Sequence, residues 1–81
     1  MDEAHRALDE AFEKFHLKLV ELRLTPAQFI EANPVVSYQT YWRNRSSANK
    51  YHSPVSARTT TLAKLEQAAR DYEARQREAA A

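Results

Sequence analysis

The chain has neither cysteine nor glycine among its 81 residues. Without cysteine, no disulfide and no cysteine-based zinc site can brace the fold. Average usage of about 7% would place roughly six glycines in a chain of this length. Their absence removes glycine-rich phosphate loops and tight glycine hairpins, and it points to helices. No apolar run approaches the ~18 residues of a membrane span. The N-terminus is acidic, unlike the basic and apolar start of a signal peptide. A soluble intracellular protein with no membrane partner is therefore expected. The sequence offers no metal-ligand cluster, no nucleophile–base motif and little chain from which to close a pocket, so an enzyme is not expected. No cofactor and no small-molecule substrate are expected either. The length suits one small domain over residues 1–81, with one core.

Acid is the third scarcity, and it is local. The net charge is only +1, yet no Asp or Glu lies between Glu31 and Glu66. That interval holds Arg43, Arg45, Lys50, Arg58 and Lys64. Residues 1–23 carry six acids and four bases, and residues 66–81 four acids and three bases. A basic middle between mixed flanks suggests a face that meets a polyanion.

What the chain does have is helical periodicity. Ala4, Leu8, Phe12, Phe15, Leu19 and Leu22 recur at three- and four-residue spacing, which predicts an amphipathic helix over 3–23 with Val20 widening its stripe. His5 and His16 fall on this helix, with no second ligand at zinc spacing. Next, Thr25 is a good N-cap, Pro26 sits at the first helical position and Gln28 completes a capping box, while Leu24 and Phe29 are spaced as a hydrophobic staple. This helix, 26–32, should stop at Asn33-Pro34.

Ser37 is the following cap, with Val36 and Tyr41 as a second staple, and the chain reads helical to about Ser47. On that helix Tyr41 should face inward, and Tyr38, Gln39, Trp42 and Arg43 outward. Gln and Arg make bidentate contacts with adenine and guanine in the major groove. Trp42 fits either core or contact, and Tyr38, Tyr41 and Trp42, with Tyr51 further on, also suit stacking on single strands. Residues 46–56 read as a polar loop, with Asn49, Lys50 and Ser53 as candidate phosphate ligands. A last helix is expected over about 57–78. Ser56, Thr59 and Thr60 compete for its cap, and Leu62, Leu65, Ala69 and Tyr72 form its stripe. Residues 73–81 should extend it into solvent, free to fray or to meet a second chain.

In this order the parts resemble the Cro and CI-type helix-turn-helix repressors of phages and bacteria. The likeness lies in LT-x3-FI (Leu24 to Ile30), VS-x2-TY (Val36 to Tyr41), the basic loop and P-x7-L-x2-L (Pro54, Leu62, Leu65), and it covers about residues 8–72. It implies an all-α bundle of four to five helices with a helix-turn-helix over 25–47. It also implies a sequence-specific transcriptional regulator that binds operator double-stranded DNA, often as a homodimer, in the cytoplasm of a bacterial host cell. By the resemblance Ser37 caps the recognition helix, and Tyr38, Gln39 and Arg43 meet base edges. Arg45, Asn49, Lys50, Arg58 and Thr59 touch phosphates. Thr40 and Trp42 complete the expected DNA-binding set. The chain departs from the family's usual residues at Pro26, Ile30, Asn33-Pro34 and Asn44. A second reading is a protein-interaction module, such as an antitoxin or a phage protein that occupies a host partner. Exposed aromatics and the long charged last helix support it.

Overall fold

A computed structural model describes residues 2–80. It holds four helices in the order α1 (Glu3–Glu21), α2 (Pro26–Ala32), α3 (Tyr38–Asn44) and α4 (Val55–Ala80), with no strand among the described residues. No described helix is long and apolar enough to cross a membrane. The expected tail reaches Ala81, which lies outside the described residues.

α1 and α4 form the frame. α2 packs on α1, and α3 packs on α4. One cluster fills the space between them: Phe12, Phe15 and Leu19 from α1, Phe29 and Ile30 from α2, Tyr41 from α3, and Leu62, Leu65, Ala68 and Ala69 from α4. Phe29 is the wedge. Its ring meets the edge of Phe15 at 5.6 Å and lies 6.3 Å from Tyr72, and it is fully buried. Burying a phenylalanine this completely stabilises by roughly 1.5–3 kcal/mol. Val20, expected to widen the α1 stripe, is instead 71% exposed, because the stripe is satisfied by Phe12, Phe15 and Leu19 and no helix covers its flank.

The start of α2 follows from local chemistry. The Thr25 hydroxyl accepts from the Gln28 N–H at 3.2 Å, and the Gln28 side chain accepts from the Thr25 N–H at 2.9 Å. At its end, the Asn33 side chain donates to the Phe29 carbonyl at 3.0 Å and accepts from Arg75 at 2.9 Å. The second bond ties the turn before α3 to the far half of α4.

α1 stops two residues short of the expected 23. The Arg23 N–H donates to the Val20 carbonyl and the Leu24 N–H to the Leu19 carbonyl, both at 3.0 Å. This is the Schellman arrangement, and it forces Arg23 to φ 59°, a conformation glycine normally supplies. Replacing Arg23 with glycine is expected to stabilise the fold by about 1 kcal/mol, because the left-handed region costs a residue with a Cβ ~1–2 kcal/mol and glycine's extra chain entropy returns part of that. A thermal melt should show it as a rise of roughly 4–8 °C. An unchanged or lower midpoint would contradict the strain.

α4 begins earlier than the competing caps suggest. Its first turn closes on the Pro54 carbonyl, which accepts from Arg58 N–H at 3.0 Å. Thr59 and Thr60 therefore sit inside the helix, their hydroxyls bonded back to the carbonyls of Val55 and Ser56. Near its end, Glu73 pairs with Lys18 of α1 at 3.5 Å. Residues 75–80 are exposed and lengthen the molecule to 45 × 21 × 19 Å.

Candidate nucleic-acid interface

α3 is a two-turn helix with one inner and one outer side. Ser37 caps it: its hydroxyl accepts from the Thr40 N–H at 3.0 Å and donates to the Thr40 hydroxyl at 2.9 Å. Tyr41 and Asn44 are buried, whereas Tyr38, Gln39, Thr40, Trp42 and Arg43 are exposed. Gln39 and Arg43 are one turn apart and so share a face.

The inner side is pinned by two polar contacts. The first joins Tyr41 to α1, where its phenol lies 2.6 Å from His16 Nε2. Burial pushes the His16 pKa below the usual 6.5, and Arg45 adds to that, while Glu13 opposes it. A neutral His16 can accept the phenol proton; a charged one cannot. Burial also raises the Tyr41 pKa, against the charge and hydrogen bond of Arg45.

The folded state thus holds His16 less basic than the unfolded chain does. Stability should be full above about pH 6.5 and decline as pH falls from there towards the lower folded pKa. A second loss belongs to Asp9. Burial alone would raise its pKa, but Ser47 and Arg58 outweigh this and hold it below the usual 3.8. Its contribution should disappear at still lower pH. Denaturant melts from pH 8 to pH 4 should show the first decline, and the His16→Gln variant should lack it. A wild type insensitive over that range would refute the assignment.

The second contact is Arg58, and here the structure corrects the sequence-based expectation. Arg58 was expected at DNA phosphates, yet it is 0% exposed and is the largest fully buried side chain. Its Nε donates to the Asn44 carbonyl at 2.8 Å. One terminal nitrogen donates to the His5 carbonyl at 3.3 Å and lies 2.9 Å from His5 Nδ1. The other pairs with Asp9. Asp9 also accepts from the Ser47 N–H at 2.9 Å and from the Ser47 hydroxyl. A buried charge must be paired and hydrogen-bonded, and these groups do so while closing the end of α3 and anchoring the chain after it. This explains why α3 ends at Asn44 and not at Ser47. Arg58 stands four residues before Leu62, in phase with the α4 stripe, but that phase alone does not tell a buried arginine from one at the edge of the stripe.

Asn49 is bonded to α3 and within its own loop. Its side chain donates to the Trp42 carbonyl at 3.3 Å and accepts from the Tyr51 N–H at 3.0 Å. It shapes the loop on which it is expected to meet phosphate. Thr59 is exposed on the first turn of α4. Trp42 is 43% exposed, so it is not a core residue.

The structure brings Trp42, Arg45, Asn49 and Lys50 together around one open cleft of about 430 Å³, with Ser46, Ala48 and Tyr51 completing its wall. Arg45 lies over the Trp42 ring at 5.9 Å, and Lys50 over the Tyr51 ring at 5.6 Å. Tyr51 was not in the expected DNA-binding set. The sequence points to it only as one of the aromatics that suit stacking on single strands. Comparison with protein-family models, curated proteins and solved structures gave no match.

Proposed function

We propose that this chain is a helix-turn-helix regulator that binds double-stranded DNA in a sequence-specific way, with α2 and α3 as the motif and α3 in the major groove. The observation that carries the proposal is the exposed outer row of α3, Gln39 and Arg43, beside exposed Arg45 and Lys50, in a stretch without acid from Ala32 to Leu65. Gln39 and Arg43 supply base choice. Arg45 and Lys50 supply affinity through phosphates. Arg58 has no part in this, because its charge is spent on Asp9. A phage-type repressor acting in a bacterial cytoplasm, as a homodimer on a palindromic operator, is the form that the family resemblance favours.

Selection of bound duplexes from a random pool tests the proposal. A defined consensus is expected, and a palindromic one would establish two-fold pairing of the protein. Arg43→Ala should then cost about 1–3 kcal/mol on the consensus and relax one position. A protein that retains no duplex at low salt is not a DNA regulator. In that case the exposed Leu17, Val20, Tyr38 and Trp42 would favour a protein-interaction module.

A further inference from the structure

We propose that the cleft at the end of α3 is a binding site for an unpaired nucleotide, its base stacked on Trp42 and Tyr51 and its phosphates held by Arg45 and Lys50. The site lies beside the proposed duplex-reading row and uses different side chains from Gln39 and Arg43.

Three observations carry this. First, Trp42 and Tyr51 line the same cleft although they are nine positions apart, and they are 43% and 71% exposed. Two large rings left in water beside each other stand to gain by covering apolar surface, and every nucleobase offers a flat π-face for that. Second, each ring carries its own cation, Arg45 on Trp42 and Lys50 on Tyr51. An aromatic platform edged with cations is how sequence-tolerant single-strand sites work: bases stack while the backbone follows the positive charge. Third, the loop that presents Tyr51 is tied to α3. Asn49 bridges the Trp42 carbonyl and the Tyr51 N–H, so one side chain ties the backbone at the two aromatic positions together. At about 430 Å³ the cleft lies within the roughly 300–1,000 Å³ range of small-ligand sites. A duplex keeps its bases stacked on one another. The occupant is therefore a base outside the stack, in a single strand or at a frayed end.

The chain's one tryptophan is the reporter. A short oligothymidylate, a matching oligouridylate and inorganic polyphosphate are titrated separately into the full chain while Trp42 fluorescence is followed. The oligothymidylate should quench it saturably, and polyphosphate should compete for binding without comparable quenching. The oligouridylate shows whether the sugar matters; quenching by either oligonucleotide supports the site. Tyr51→Ala should weaken binding by about tenfold and Tyr51→Phe should retain it, because stacking needs the ring and not the hydroxyl. Tyr51 packs on nothing in the core, and an unchanged helical circular dichroism spectrum checks that the variants fold. Quenching that does not saturate, quenching equal to that by polyphosphate, or an unaltered Tyr51→Ala titration would overturn the proposal. Arg43→Ala separates the two sites: it should impair duplex selection and leave oligothymidylate binding intact. A wild-type chain that selects no duplex yet shows saturable single-strand quenching would sink only the duplex proposal; one that selects a duplex without saturable quenching would sink only this one.

Discussion

Replacing Arg58 with methionine is expected to cost the fold about 3 kcal/mol, the low end of the ~3–5 kcal/mol that follows removal of one partner from a buried ion pair. The low end applies because Asp9 keeps 29% of its side chain exposed and retains both Ser47 bonds. Methionine fills much of the space but leaves the Asn44 carbonyl without its donor. Against a total of roughly 4–12 kcal/mol for a domain of this size, such a loss is large. A urea melt should place the variant's midpoint well below that of wild type. Asp9→Ala should be at least as damaging, since it strands a guanidinium that cannot shed its proton. A methionine variant as stable as wild type would mean that the cluster is replaceable by apolar packing. The effect should also reach the candidate interface. The carbonyl that ends α3 and the serine that follows it are both held by this pair, so a variant that still folds should hold the outer row less firmly against the cleft.

Neutralising Arg43, Arg45 and Lys50 together, each to glutamine, is expected to cut duplex affinity by on the order of a hundredfold at moderate salt. Arg45 and Lys50 are the phosphate contacts among the three, and each contributes about 0.9 to the slope of log affinity against log salt, so the slope should flatten by nearly two units. The substitutions also take the net charge from +1 to −2, since three positive charges are removed from +1, which turns weak long-range attraction into repulsion. All three residues are exposed, so helix content should be nearly untouched, with a small drop in melting midpoint from the lost Arg45 hydrogen bond to Tyr41. Equilibrium binding at several salt concentrations reads both quantities. A parallel, merely offset salt plot would mean that other cations carry the phosphates. An unchanged plot would remove this face from DNA binding altogether.

Much of the helical framework was legible because its determinants are local. Thr25, Pro26 and Gln28 specify the start of α2 within four residues, and Asn33-Pro34 its end. Ser37 specifies the start of α3 in the same way. The buried stripe of α1 follows from three- and four-residue spacing, as does the inward aim of Tyr41. The errors fall where one polar group has more than one possible partner. The hydroxyls at Thr59 and Thr60 look like caps, yet they lie inside α4 because the helix starts on a backbone carbonyl at Pro54 that no sequence pattern marks. Asn49 reads only as a ligand in a polar loop, and the sequence does not show that its amide also ties that loop to Trp42 and Tyr51.

The sequence by itself settled which four stretches become helices, where two of them begin, and that the middle of the chain is rich in unopposed cations. Caps, prolines and apolar periods act over three or four residues and need no partner from elsewhere. Only the tertiary structure decided which cations remain on the surface. Arg58 lies 49 positions from Asp9, and nothing in its neighbourhood announces the pairing. Charge is written in the sequence, but its exposure depends on which distant acid the packing of α1 against α4 brings within reach.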